Sequence, residues 1–199
     1  MPRTPEQFEE IRESRKEQII LVALALFAKE GYGHVSIAAL ARHAGISKGL
    51  MYNYFESKEE LLKAVIEYSM TEILNYFDPN HDGVLTPDEF ELFVRKTFQL
   101  IREKCDFYTK IFGLVVQPNV TEHFKNSSAN KFFGQYFVMF ESYFKEQGFE
   151  DPMLEVLNLS IIIEGLGMMM VFYDDLTELP SDLFDKFENR IINAYTKKR

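Results

Sequence analysis

Ser36-Ile-Ala-Ala-Leu-Ala-Arg-His-Ala-Gly-Ile-Ser-Lys-Gly-Leu-Met-Tyr-Asn-Tyr-Phe55 is the stretch that decides how this chain reads. Ile37, Leu40, Ala41 and Ala44 share one helical face, and Gly45 follows as a stop. Ser47 caps a second short helix, along which Ile46, Met51 and Phe55 point inward. Two helices joined by a tight Gly-containing turn form a helix-turn-helix, whose second helix can enter a DNA major groove. Gly45 offers the positive φ such a turn needs, and Ala41 is small where the helices must approach. Lys48, Gly49, Leu50, Tyr52, Asn53 and Tyr54 are left facing outward. Ser47, Lys48, Tyr52 and Tyr54 can reach phosphate oxygens or bases, and Asn53 can pair with a base edge. Gly49 lets the backbone approach closely. Ser36 and Lys58 stand at helix starts, where free backbone N–H groups complete a phosphate site. The alternative is an ordinary helical hairpin with a polar surface.

The same periodicity extends in both directions. Upstream, Ile19, Val22, Ala23, Leu26 and Phe27 make a stripe that Gly31 ends. Downstream, Ser57-Lys-Glu-Glu60 is a capping box that starts a helix faced by Leu62, Val65 and Ile66. Thr86-Pro-Asp-Glu89 starts another, with Pro at the first helical position and acids in the first turn. A shorter helix is expected near 107–116, stopped at Pro118. Others are expected around 133–144, from 152 to about 173, and from Pro180-Ser181 to Tyr195. Strand alternation and hairpin dipeptides are lacking, so the fold expected is all-α, with about nine helices.

Composition narrows the class. The chain has 199 residues, 46% of them apolar, which suits one domain or two small ones. One Cys excludes an internal disulfide and fits a reducing compartment, hence a cytoplasmic protein. The charged N-terminus does not read as a secretory signal. The apolar run 159–173 contains Glu164 and falls short of a membrane span. A formal charge of −9 counts at face value against nucleic-acid binding. Residues 12–58, however, hold seven basic and four acidic groups, so the head is +3 and the remainder −12.

The strings Ala25-Leu-Phe-Ala-Lys-Glu-Gly-Tyr32, Ser36-Ile-Ala-Ala-Leu-Ala41, Ala44-Gly-Ile-Ser-Lys-Gly49, Tyr52-Asn-Tyr-Phe55 and Ser57-Lys-Glu-Glu-Leu61 closely resemble the TetR family of bacterial transcription regulators. The likeness covers about residues 12–66 without a gap. Leu50 and Asn53 fall where family members vary and choose their operator. The resemblance implies a three-helix DNA-binding domain at 1–56 and an effector-binding, dimerising domain at 57–199, joined by a linker helix at 57–76. It implies a homodimer through the last two helices, about 152–174 and 181–196. It also implies a palindromic operator read by helices about 34–36 Å apart, or a multiple. Release by a small effector, and hence repression, follows from the same likeness.

A second motif is independent of the first. Asp78-Pro-Asn-His-Asp-Gly-Val-Leu-Thr-Pro-Asp-Glu89 matches the EF-hand calcium-loop pattern at every required position. Its ligands would be Asp78, Asn80, Asp82, the Val84 carbonyl, Thr86 and bidentate Glu89, with Gly83 at the sharp turn. The same residues also suit a polar interhelix loop with a helix start, and no second EF-hand is evident. A calcium-responsive regulator is therefore the alternative function. No cofactor is otherwise required.

Phe and Tyr crowd the second half, and Phe112, Tyr136, Phe137, Phe140 and Glu164 are the candidate effector-binding residues, for an apolar or aromatic ligand. Most of these rings also suit a core or a dimer interface. Glu164, if buried, requires a partner, such as Arg102, a ligand cation or the second subunit. No catalytic motif is present, and the four His residues have no metal-ligand spacing. The expectation is a non-enzyme, with a small helical enzyme using Glu164 as the remote alternative.

Overall fold

Thr4-Pro5-Glu6-Gln7 opens the first helix of the computed structural model, which describes residues 4–74, 78–80, 82–125, 128–172 and 182–197. The Thr4 hydroxyl accepts the Gln7 N–H at 3.3 Å while the Gln7 side chain accepts the Thr4 N–H at 3.1 Å. With Pro5 preset for the first turn, this capping box starts α1 (Pro5–Glu30) well ahead of the apolar stripe. After it come α2 (Ile37–His43), α3 (Lys48–Tyr52), α4 (Lys58–Leu74) and α5 (Pro87–Glu103). The remainder are α6 (Cys105–Val115), α7 (Pro118–Lys125), α8 (Ser128–Glu146), α9 (Pro152–Phe172) and α10 (Leu183–Tyr195). The described residues are all-helical, with ten helices where the spacing predicted nine. The additional helix is α7. Pro118, read from sequence as a stop, is the first residue of a new helix, where its missing N–H costs nothing. The end expected for the linker helix at 76, and the start expected for the last helix at Pro180-Ser181, lie outside the described residues.

The chain divides into two compact units. The first comprises Met1–Ser69 and Gly113–Ser127, and the second Met70–Phe112 and Ser128–Arg199. In the first, Ile19, Ala23, Leu24 and Phe27 of α1 are buried together with Leu40, Met51, Phe55, Leu62 and Val65. This unit extends beyond residue 56 to take in most of α4, the end of α6 and α7.

The core of the second unit is aromatic. Phe90 of α5 stacks on Tyr143 of α8 at 5.0 Å and meets Tyr195 of α10 edge-on at 5.9 Å. The Tyr143 hydroxyl donates to the Tyr195 carbonyl at 2.8 Å, so a buried polar group finds a partner. Burial raises the Tyr143 phenol well above its ordinary range. Glu188, almost fully buried on α10, is held by Arg95 at 2.9 Å and Arg102 at 3.1 Å, both on α5. A second nitrogen of Arg102 pairs with Asp185 at 2.8 Å. Arg102 therefore serves α10, not Glu164.

Candidate nucleic-acid interface

The helix-turn-helix is assembled from local signals. Ser36 accepts the Ala39 N–H at 3.2 Å and starts α2. At the other end of α2, Ile46 N–H donates to Ala41 C=O at 2.9 Å and Gly45 N–H donates to Arg42 C=O at 3.2 Å. This pair of bonds is a Schellman closure, and it requires Gly45 in the left-handed region, where its φ is +67°. Ser47 then accepts the Leu50 N–H at 3.1 Å and starts α3 only three residues after the previous helix has capped. Met51 and Phe55 are essentially inaccessible, and they pin α3 to the core by its inner face.

The outer face is what remains. Lys48, Gly49, Leu50, Tyr52 and Asn53 are exposed, Leu50 by 40% and Tyr52 by 46%, which is high for apolar and aromatic side chains on so short a helix. A Cβ at Gly49 would meet nothing closer than the Ser47 hydroxyl at 4.0 Å, so its outer side is open. Tyr54 is half-buried and lines a surface groove with Glu10, Ile11, Ser14, Arg15 and Gln18 of α1. Ser36, Ser47, Lys48, Gly49, Leu50, Tyr52, Asn53 and Tyr54 thus lie on α2, α3 and their immediate flanks.

Lys58 is used differently. Its ammonium donates to the carbonyls of Tyr32 at 3.0 Å and Val35 at 3.1 Å, and sits 4.4 Å from the Tyr32 ring centroid. It braces the loop between α1 and α2 from the start of α4. Sequence reasoning assigned it to phosphate because its partners lie 23 and 26 residues away. At the same helix start, Ser57 caps Glu60 N–H at 3.0 Å, but the Glu60 side chain reaches back to Glu56 N–H and not to Ser57. The Glu59 carboxylate is held below its ordinary range by its own backbone N–H first, then by Ser57 and Lys58.

The described residues of the 78–89 loop are held by bonds from side-chain oxygens to backbone N–H groups. Asp78 accepts N–H groups from Asp82 at 3.2 Å and Gly83 at 3.0 Å, and Gly83 has φ +75°. Asn80 and Asp82 accept the Asp82 and Val84 N–H groups in turn, and Leu85 is buried while Val84 faces solvent. Glu89 is folded back on Thr86, accepting its N–H at 2.9 Å and its hydroxyl at 2.8 Å. Among the described residues, no three His, Cys, Asp or Glu side chains converge as a metal set.

The candidate effector residues do not behave alike. Phe112, Tyr136 and Phe137 are half-buried. Phe140 is packed against Phe93 at 5.6 Å and Phe144 at 6.1 Å, inside the aromatic core. Burial raises the Tyr136 phenol above its ordinary range, and the Asp78 carboxylate adds to the effect. Glu164 is exposed on α9 in the single chain, where its carboxylate needs no buried partner. Its side of the helix faces outward, and exposed Ile161 lies one turn away.

Residues 19–65 match the family described as bacterial regulatory proteins, tetR family. The HTH-type transcriptional regulator YerO of Bacillus subtilis is 46% identical over 54 residues, which make up 27% of this chain and 19% of YerO. The negative regulator of the biofilm operon icaADBC in Staphylococcus epidermidis, IcaR, is 25% identical over 97 residues. That match spans 49% of this chain and 51% of IcaR. The chain therefore spans about a fifth to a half of the length of these curated relatives. Its backbone also matches AibR, crystallised with isovaleryl coenzyme A and operator DNA, with a TM-score of 0.64 at 16% identity, covering 93% of this chain and all of that one. The helix order, the Schellman turn into a five-residue helix and the match over residues 19–65 agree: the N-terminal part of this chain is similar to the tetR family of bacterial regulatory proteins.

Proposed function

We propose that the chain is a dimeric, cytoplasmic transcriptional regulator that binds a palindromic operator through α3 and is released from it by a small apolar or aromatic effector. The observation that carries this reading is the exposed set Lys48, Gly49, Leu50, Tyr52 and Asn53 on a helix pinned by Met51 and Phe55. Lys48 supplies a phosphate contact, and Tyr52 and Asn53 supply donors for phosphate and base edges. Repression is supported by the likeness to IcaR, a negative regulator. The dimer is supported by α9, where Leu154, Leu157 and Ile161 are exposed by 50%, 47% and 66% at helical spacing. Phe112, Tyr136 and Phe137 are the proposed effector contacts. The deciding experiment is a gel shift on the promoter beside its own coding region. Lys48→Ala and Tyr54→Ala should each weaken binding while the thermal melt is unchanged. Wild-type binding by both variants would overturn the assignment of α3.

The 78–89 loop favours a second reading, in which calcium tunes the regulator. Asp78, Asn80, Asp82, the Val84 carbonyl, Thr86 and Glu89 are the ligands proposed, and the Asp78 carboxylate already gathers two backbone N–H groups around Gly83. Glu89 would leave its cap on Thr86 to complete the set. Titration calorimetry compares wild type with Glu89→Gln, whose amide oxygen keeps the cap. Equal heats on adding calcium would end this reading.

A further inference from the structure

Gln117 occupies the corner between α6 and α7, and its side chain reaches far back along the chain. Its Oε1 accepts the Tyr32 N–H at 2.9 Å across 85 residues, and its Nε2 donates to the Phe27 carbonyl at 2.9 Å across 90. One partner lies in the last turn of α1 and the other two residues past its end. Phe27 C=O already closes the helix by accepting from Gly31, and Tyr32 N–H lies just past the helix end, where the helix offers it no acceptor. Two residues of α7 lie beside the clasp. The Asn119 amide lies 3.3 Å from the place a Cβ on Gly33 would take, and the His123 ring meets Tyr32 edge-on at 5.7 Å. The backbone of Tyr32 is therefore gripped from both sides: its N–H by Gln117, and its C=O by Lys58 of α4. Val35, whose carbonyl Lys58 also holds, immediately precedes the Ser36 cap of α2.

We propose that Gln117 is a positioning residue for DNA binding, which fixes the exit of α1 and hence the placement of α2 and α3. The proposal rests on the regulator reading. The chain arrives at Gln117 along α6. Residues 105–112 of that helix belong to the second compact unit, and 113–115 to the first.

The test uses full-length protein and a duplex selected by the wild type from a random-sequence library. In Gln117→Ala, the Tyr32 amide should exchange with solvent faster while the Leu24 and Leu62 amides keep their wild-type protection. Affinity should fall about five- to thirty-fold, the equivalent of two modest hydrogen bonds. The dependence of affinity on salt should keep its slope, because no phosphate contact is lost. Gln117→Glu retains an acceptor for Tyr32 N–H but no donor for Phe27 C=O, so its affinity should lie between the two. Wild-type affinity in Gln117→Ala, unaltered exchange at Tyr32, or a shallower salt slope would each overturn the positioning role. If Gln117→Ala does not fold, Gln117→Glu decides, and wild-type affinity in that variant has the same force. A wild type that selects no duplex overturns the regulator reading itself and this role with it.

Discussion

Tyr32 is engaged through every group it has. Besides the two backbone contacts, its hydroxyl lies 3.4 Å from a Glu59 oxygen and its ring packs edge-on against Phe27 at 5.1 Å. Burial, then the Glu59 carboxylate, pushes its phenol up from 10.0 to about 12. Because the folded value lies above the unfolded one, this group's contribution is intact below pH 10 and is lost as pH rises from 10 towards about 12. Tyr32→Phe should therefore flatten the alkaline loss of stability across that window. Thermal melts of both proteins through the window measure it, and parallel curves would refute the coupling. Side chains whose partners are near in sequence were legible in advance. Ser36 and Ser47 cap amides three residues away, and Gly45 closes the helix it follows. Gln117 and Lys58 were not legible, because their partners lie tens of residues distant and nothing in their own neighbourhoods marks them.

Among the elements, the two unforeseen features have physical causes. Thr4-Pro-Glu-Gln7 has the same helix-start chemistry as Thr86-Pro-Asp-Glu89, and both form a capping box. Only the second was read as a start, because a clean apolar stripe follows it. The first turns of α1 carry just Phe8 and Ile11, and both are exposed. That part of the helix is held by its cap and by polar pairs such as Arg15 with Gln18 at 2.8 Å, not by burial. For α7, the ambiguity lay in Pro118, which ends one helix pattern and suits the start of the next equally well. On α9, a helix that the family resemblance assigned to the dimer, Leu154, Leu157 and Ile161 are exposed in the single chain. Ile161→Glu should weaken self-association at least ten-fold by placing a charge in that face. Sedimentation at graded concentrations reads this directly, and an unchanged association constant would move the dimer interface elsewhere.

For the whole molecule, the charge of −9 is a sum of unlike parts, +3 over residues 12–58 and −12 over the rest. On the proposed reading, a head so weakly basic would gain affinity from few phosphate contacts, each released counterion contributing a slope of about 0.9 in log affinity against log salt. Binding should therefore fall with salt, and Lys48→Ala should make the fall shallower by about 0.9 for each head engaged. Anisotropy titrations over a salt series test this, and an unchanged slope would remove Lys48 from the phosphate contacts. The separation of charge was legible in the sequence because it is additive. The aromatic core was legible only as a surplus of rings, since the stacking of Phe90 on Tyr143 depends on three helices meeting. The five residues of α3 cannot hold a helix by themselves, so its shape is imposed by Met51, Phe55 and the two flanking caps. Its outward positions consequently bear no folding load, and exchanging them should shift stability by no more than about 0.5 kcal/mol. A duplicated copy of this chain could acquire a new target sequence through a few surface substitutions, each intermediate remaining folded along the way.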